Sequence, residues 1–239
     1  MMENMSKLTV VTQNCYGLPF TGYHRRFREI AEALQKLKPD IVFLQEIVMP
    51  DGVWSFNLSD YRTFYQPGIL VKGGLVTLVR KSLNPEHVLW QRFRHQGKII
   101  SQQVTDRMLG KGFLVTRIAG DILLVNTHLV SLYGRFTPLD PGQAEQLGQL
   151  QAYLKNQSRY ILAGDLNFPE GGPYYQKLVP MMKDVTGGMG ITNKEESAKF
   201  DYIFTSGLEH TLERNWFVHY PEIVSDHKGI AVTLNETSF

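Results

Sequence analysis

Apolar positions along this chain gather into short runs bounded by turn residues, the pattern of β-strands more than of long helices. The runs are Leu8–Asn14, Ile41–Gln45, Leu75–Val79, Val88–Phe93, Phe113–Ile118, Ile122–Thr127, Tyr160–Ala163, Asp201–Thr205 and Gly229–Leu234. Ile41-Val42-Phe43-Leu44 and Ile122-Leu123-Leu124-Val125 are apolar at every position, as strands covered on both faces are. The turn Ala119-Gly120-Asp121 parts two runs tightly enough for a hairpin, so some of the sheet is antiparallel. Helical spacing is rarer. Phe27, Ile30, Leu34 and Leu37 form a stripe with charged residues between them, and Pro39 closes it. Ala144, Leu147, Leu150 and Leu154 mark a second helix after Pro141-Gly142. Tyr174, Leu178, Met181 and Met182 suggest a third, starting near Pro173. These stripes read as core.

The order strand–helix–strand occurs twice, as Leu8–Asn14, helix, Ile41–Gln45 and as Ile122–Thr127, helix, Tyr160–Ala163. Helices interleaved with strands of mixed direction predict an α/β (α+β) protein with sheet inside and helix outside. Two such halves stack as a four-layer α/β/β/α sandwich of two packed mixed sheets. Nothing resembles a linker, so the expectation is a single domain over residues 1–239; the polar stretch Thr192–Lys199 reads as a surface loop.

Composition narrows the class of protein more than its function. With 239 residues, 43% of them hydrophobic, and a net charge of only +2, the chain is globular rather than disordered. That balance also excludes a protein held to nucleic acid by overall charge, though not one with a local basic groove. Cys15 is the single cysteine, which rules out an internal disulfide and disfavours a thiolate zinc site. The polar Met1–Lys7 leads into an apolar run too short for a secretion signal, and Lys72 interrupts the longest apolar stretch, Ile69–Val79. The expectation is a cytoplasmic monomer with no stable membrane anchor.

The informative pattern is polar. Asn14 ends one strand and Gln45-Glu46 the next; Asn126-Thr127-His128 ends another, and Asp165-Leu166-Asn167 follows Tyr160–Ala163. Asp201 opens a strand, and Ser225-Asp226-His227 precedes the last. Strand ends converge on one rim of a sheet, where α/β proteins build their sites. Singly, each has a structural reading: Asn14 as a turn residue, Glu46 as an exposed strand end, Asp165-Leu166-Asn167 as an Asx-turn, His128 as a core histidine, Asp226-His227 as a helix cap. Their joint occurrence is harder to explain as packing.

In that order, Thr12-Gln13-Asn14, Leu44-Gln45-Glu46, Asn126-Thr127-His128-Leu129, Gly164-Asp165-Leu166-Asn167, Asp201-Tyr202-Ile203-Phe204 and Ser225-Asp226-His227 resemble the endonuclease/exonuclease/phosphatase superfamily, whose best-known fold is that of pancreatic-type deoxyribonuclease. The resemblance runs from about residue 8 to residue 234 and implies the four-layer sandwich with a site between the sheets. Asn14-Cys15-Tyr16-Gly17-Leu18-Pro19 and Gly110-Lys111-Gly112-Phe113 are similar to segments of the neutral-sphingomyelinase-like branch. His128, and Tyr16 in place of a carboxylate, set the chain apart from the abasic-site endonucleases.

The resemblance implies a divalent-metal-dependent phosphoesterase. Phosphoester hydrolysis requires neutralising the phosphate, activating a water in line and stabilising the leaving oxygen. Oxygen ligands suit Mg²⁺, with Mn²⁺ as a substitute. Glu46 is the expected metal ligand, Asn14 an amide ligand or orienter beside it, and Asp226 a further carboxylate near a metal. Asp201 and His227 match the family's carboxylate–imidazole pair, in which the carboxylate orients the ring and raises its pKa. Asp165 is expected to orient the nucleophile, Asn167 to donate to a phosphate oxygen, and His128 to donate to another or protonate the leaving group.

The substrate is left open between phospholipid, nucleic acid and small phosphoester. Val53-Trp54-Ser55-Phe56 and Pro173-Tyr174-Tyr175 are candidate lipid contacts, read first as core; His24-Arg25-Arg26, Arg92-Phe93-Arg94 and Lys98 are candidate basic contacts. A catalytically inactive phosphate-binding relative is the alternative of another class, disfavoured because every expected metal ligand and histidine is present. Lys199-Phe200 departs from relatives that place a basic residue directly before the aspartate.

Overall fold

Both strand–helix–strand units form, and each lies in its own sheet. The computed structural model describes residues 6–18, 22–97, 104–131 and 140–236; Pro19 and Lys98 lie outside the described residues. In chain order the elements are β1 (Ser6–Gly17), α1 (Tyr23–Leu37), β2 (Ile41–Ile47), α2 (Pro50–Trp54), β3 (Tyr61–Tyr65), β4 (Val76–Arg80), β5 (Glu86–Arg92), α3 (Val104–Leu109), β6 (Gly112–Ile118), β7 (Ile122–His128), α4 (Pro141–Leu154), β8 (Tyr160–Asp165), α5 (Pro173–Leu178), β9 (Lys183–Asp184), β10 (Asp201–Ser206), β11 (His210–Phe217) and β12 (Ile230–Glu236).

One six-stranded sheet runs β11-β12-β1-β2-β4-β3 and the other β5-β6-β7-β8-β10-β9. β1 and β2 are parallel, as are β7 and β8; the neighbouring pairs are antiparallel, including the β6–β7 hairpin at Ala119–Asp121. A helix crosses over each parallel pair, as a parallel connection requires.

The apolar runs are continuous because each sheet is covered twice. On β2, Val42 and Leu44 face α1 residues Phe27, Ile30 and Leu34, while Ile41 and Phe43 enter the layer between the sheets. On β8, Ile161 and Ala163 fill that middle layer, while Tyr160 and Leu162 meet Leu147, Leu150 and Leu154 of α4. This is the four-layer sandwich, two packed mixed sheets with helices outside. Burying each large aliphatic or aromatic side chain contributes roughly 1.5–3 kcal/mol.

Helix ends follow local chemistry. Lys38 adopts a left-handed conformation (φ 52°) and returns its N–H to the Leu34 carbonyl just before Pro39. The Asp140 side chain accepts from the N–H groups of Gly142 and Gln143 and so caps α4. The third helix stops at Leu178 and not near Met182; Val179 is still helical in backbone conformation, but Pro180 has no N–H to extend the hydrogen-bond ladder.

Gly164 lies one residue before Asp165 with φ 145°, and a Cβ there would sit 1.9 Å from the Thr127 carbonyl oxygen across the β7–β8 pair. Gly164→Ala is therefore expected to lower unfolding free energy by more than about 2 kcal/mol, measured by urea denaturation. A loss under about 0.5 kcal/mol, the range of an ordinary surface substitution, would show that the strands separate freely there.

Candidate active site

Asn14, Glu46, His128 and Asp165 lie near the carboxyl ends of β1, β2, β7 and β8. Asp201 begins β10 and His227 precedes β12, and both strands run antiparallel to their neighbours, so all six side chains reach one rim. Beneath them the sheets are tied together: Gln45 donates to Asn126 Oδ1 (2.9 Å), and Asn126 Nδ2 donates to the Leu44 and Val76 carbonyls (3.1 and 3.0 Å).

Asp165 is the hub. Its Oδ2 accepts from Asn14 Nδ2 (2.9 Å) and lies 3.5 Å from His128 Nε2 and 3.6 Å from His227 Nε2. Its Oδ1 accepts the Asn167 N–H (2.9 Å). Asn14 Nδ2 also donates to Glu46 Oε1 (3.0 Å), so Glu46 and His227 are connected through Asn14 and Asp165 alone. His227 Nδ1 meets Asp201 Oδ2 at 2.7 Å. Ser225 holds this end of the chain to β1, donating to the Asn14 carbonyl (2.7 Å) and accepting the His227 N–H (3.1 Å). Asp226, half-buried, lies beside them.

The amide orientations are fixed by their other partners. Asn14 Oδ1 accepts the Tyr16 N–H (3.1 Å), which turns its NH₂ toward the two carboxylates. One amide hydrogen of Asn167 goes to the Leu129 carbonyl (2.9 Å). Tyr16, Glu46 and Asn167 all have left-handed backbones (φ 48°, 59° and 52°). Such strain in non-glycine residues persists only where surrounding structure enforces it, and here it clusters at the rim.

Two contributors escape sequence reading. Lys111 is fully buried, its Nζ 2.9 Å from Asp106 Oδ1 but off the line of a hydrogen bond. Its only signal was the resemblance of Gly110-Lys111-Gly112-Phe113 to a family segment, which gave the lysine no role. Asn193 reaches His227 Nε2 at 2.8 Å. It lies in the stretch expected as a surface loop, where Thr192, Asn193 and Lys199 prove buried. Lys199 points away from the site, into contacts with Glu170, Asp184 and the Thr186 carbonyl. Of the candidate lipid contacts, Phe56 and Tyr174 are buried as expected, whereas Trp54 is 76% exposed: α2 buries Gly52 and Val53, which leaves Trp54 on the outer side.

The electrostatics follow from crowding carboxylates in a buried site. Burial pushes Glu46 above the usual carboxylate range, with Asp226 adding to the effect and Lys111 opposing it. Burial, with Asp201 adding, raises Asp165 to about 7, against the pull of His227. His128 is held well below its ordinary value by burial, then by Lys111 and His227, so it is neutral. Its Nδ1 is buried without a hydrogen-bond partner among the described residues.

Burial disfavours the charged form of His227, but Asp201 and Asp165 outweigh it and lift the pKa to about 10. The Asn193 amide, which can donate only to a bare Nε2, pulls the other way; the carboxylate contact at 2.7 Å is the stronger influence. A raised folded-state pKa stabilises the fold below the unfolded value and loses that benefit as pH climbs to the folded value. For His227 the loss spans 6.5 to about 10, and for Asp165 it spans 3.8 to about 7. Stripped of divalent cations, the protein is expected to melt at progressively lower temperature as pH rises toward about 10. Asp201→Asn should flatten that decline; an equal slope in both proteins would detach His227 from it.

One ligand atom from each of Asp165, Asp201 and His227 lies within 4.8 Å of the others. Those atoms already engage one another. Glu46, by contrast, has only one oxygen engaged among the described residues. Four carboxylates (Glu46, Asp165, Asp201 and Asp226) face one imidazole with a raised pKa and Lys111, whose charge Asp106 already meets. Burial is the main cause of the upward shifts of Glu46 and Asp165, with the neighbouring carboxylates adding to it, and a hard divalent cation on oxygen ligands would favour their charged forms. The donor set fits such an ion.

A family model described as the Endonuclease/Exonuclease/phosphatase family matches residues 11–227. Several solved structures are similar in fold. The TDP2 structure from D. rerio, complexed with a single-strand DNA product, is 20% identical with a TM-score of 0.74, covering 96% of this chain and 99% of that one. An endonuclease/exonuclease/phosphatase from Beutenbergia cavernae is 19% identical with a TM-score of 0.72, covering 96% and 72%. SmcL is 18% identical with a TM-score of 0.72, covering 97% and 99%. No curated protein matches in sequence.

Proposed function

The chain belongs to the endonuclease/exonuclease/phosphatase family, and from that premise we propose that it is a Mg²⁺-dependent hydrolase of phosphodiesters. The observation carrying this reading is the convergence on Asp165 of Asn14, His128 and the Asp201–His227 pair, with Glu46 one hydrogen bond further out. Glu46 would hold the cation, Asp226 would add a second carboxylate, and Asn14 would orient Glu46 from beside it. When bound, the ion supplies positive charge to the phosphate oxygens.

The remaining steps belong to the chain's own groups. Asp165 orients the attacking water, whose proton passes to the Asp165–His227 pair as the P–O bond to the leaving group breaks. Asp201 fixes the ring and compensates its charge. His128, neutral, donates to a phosphate oxygen or to the leaving oxygen, and Asn167 has a second amide hydrogen for the phosphate. A site so deeply buried favours these charge contacts over competition from water.

Within the family, the segments similar to the neutral-sphingomyelinase-like branch support a phospholipid headgroup as substrate. Lys111, from one of those segments, is fully buried, with Nζ 2.9 Å from Asp106 Oδ1. D. rerio TDP2, with its DNA product, makes nucleic acid the comparison to run. The test is hydrolysis of bis-p-nitrophenyl phosphate with Mg²⁺ and with EDTA, then sphingomyelin vesicles, single- and double-stranded DNA, RNA and phosphomonoesters at equal enzyme. Cation-dependent turnover of a diester is expected. Its absence across the whole panel would leave a phosphate-binding protein.

A further inference from the structure

The segment before β10 is built around His227 in a way the reaction outlined above does not yet use. Asn193 and His227 form an isolated antiparallel bridge. Lys228 N–H donates to the Thr192 carbonyl (2.8 Å) and Lys194 N–H to the Asp226 carbonyl (3.0 Å), framing the pair on both sides. Directly opposed residues in an antiparallel pair present their side chains on the same face. The backbone thus delivers the Asn193 amide to the imidazole.

The amide is also held in one orientation. Asn193 Oδ1 accepts the Glu196 N–H (2.8 Å), leaving Nδ2 as the group that faces His227 Nε2 at 2.8 Å. A turn through Ser197, itself left-handed (φ 52°), closes the loop with hydrogen bonds between Asn193 and Ala198 (2.9 and 3.3 Å). The preceding residue serves the other half of the pair: Thr192 Oγ1 accepts the N–H groups of Phe200 and Asp201 (2.9 and 3.2 Å).

We propose that Asn193 is a positioning residue for His227, fixing the Nε2 edge of the ring toward Asp165. The inference rests on the phosphoesterase reading for its kinetic consequence, not for its geometry. An imidazole held only through Nδ1 can tilt about the Asp201 contact; the amide 2.8 Å from Nε2, which donates to that nitrogen when it is bare, limits that tilt. An incoming water or phosphate oxygen then meets a ring already aimed, and the cost of ordering it has been met by the loop.

Two substitutions separate this from a role in loop folding. Asn193→Ala removes both side-chain bonds. Asn193→Ser keeps an oxygen for the Glu196 N–H, so it preserves the turn, but it is too short to reach His227. Asn193→Ala is expected to lower kcat on bis-p-nitrophenyl phosphate by about tenfold or more with KM changed less than about twofold. Asn193→Ser is expected to recover the thermal midpoint without recovering kcat.

If Asn193→Ser restores both, the residue serves only the loop and the proposal fails. The ¹⁵N resonances of the His227 ring give a reading independent of turnover: both variants should move them, and unchanged resonances would equally overturn the proposal. Should the wild type hydrolyse no phosphoester, the resonances still decide the positioning role while the phosphoesterase reading falls alone.

Discussion

Asp165→Asn and His227→Ala are each expected to lower turnover of a phosphodiester by about a hundredfold or more, with the fold retained. The expectation comes from the hub geometry. Asp165 Oδ2 is shared by Asn14, His128 and His227, so neutralising it weakens the carboxylate proposed to orient the water and one of the two that raise His227. The substitution is nearly isosteric, and an amide oxygen in place of Oδ1 still accepts the Asn167 N–H. Removing the His227 ring is harsher. It leaves Asp201 Oδ2 buried without the imidazole, a loss of about 1–3 kcal/mol. Thermal melts therefore accompany the kinetics, and Asp165→Asn carries the argument should His227→Ala unfold. Because the two groups act as one unit, the double variant should be scarcely slower than the worse single one. Turnover within threefold of wild type in folded Asp165→Asn would remove Asp165 from the chemistry.

The layers were legible in the sequence because covered strands leave a plain mark. Ile41–Leu44 and Ile122–Val125 are apolar throughout since each faces a helix on one side and the opposite sheet on the other. Several elements without that double cover went unseen. β11 is an edge strand whose middle, Thr211–Arg214, is exposed and carries Glu213 and Arg214, so neither apolar alternation nor β-propensity announced it. β3 and α2 have five residues each and β9 two, too short for a period to show.

The same division runs through the site. Asn14, Glu46, His128, Asp165 and Asp201 fall at ends of strands whose apolar runs can be traced, so topology brings them to one rim. Asn193 carries no such marker, and the resemblance around Lys111 gave that residue no role. One reaches His227 through a two-residue bridge between loops, and the other is a lysine buried against Asp106. Both contacts depend on tertiary register that no local spacing encodes.

Glu46→Gln should raise the divalent-ion requirement more than any other single change in the site. The reason is charge at constant shape. Glutamine keeps an oxygen for the Asn14 Nδ2 hydrogen bond, so the left-handed backbone at this position and the contact to Asp165 survive. What disappears is the carboxylate proposed to hold the cation. Mg²⁺ is bound by only one or two carboxylates in most protein sites, so losing the one proposed as principal is expected to weaken binding steeply. In a Mg²⁺ titration of diesterase activity, half-saturation should rise by tenfold or more, with part of the lost rate returning at high ion concentration. Asp226→Asn should shift the same curve less. A thermal midpoint that rises with Mg²⁺ in the wild type and not in Glu46→Gln would show the same loss without any substrate. Partial rescue by excess ion distinguishes a lost ligand from a damaged site, since a site distorted by substitution stays slow at every ion concentration. An unchanged half-saturation would place the cation elsewhere on the rim, with the Asp165, Asp201 and His227 cluster as its remaining seat.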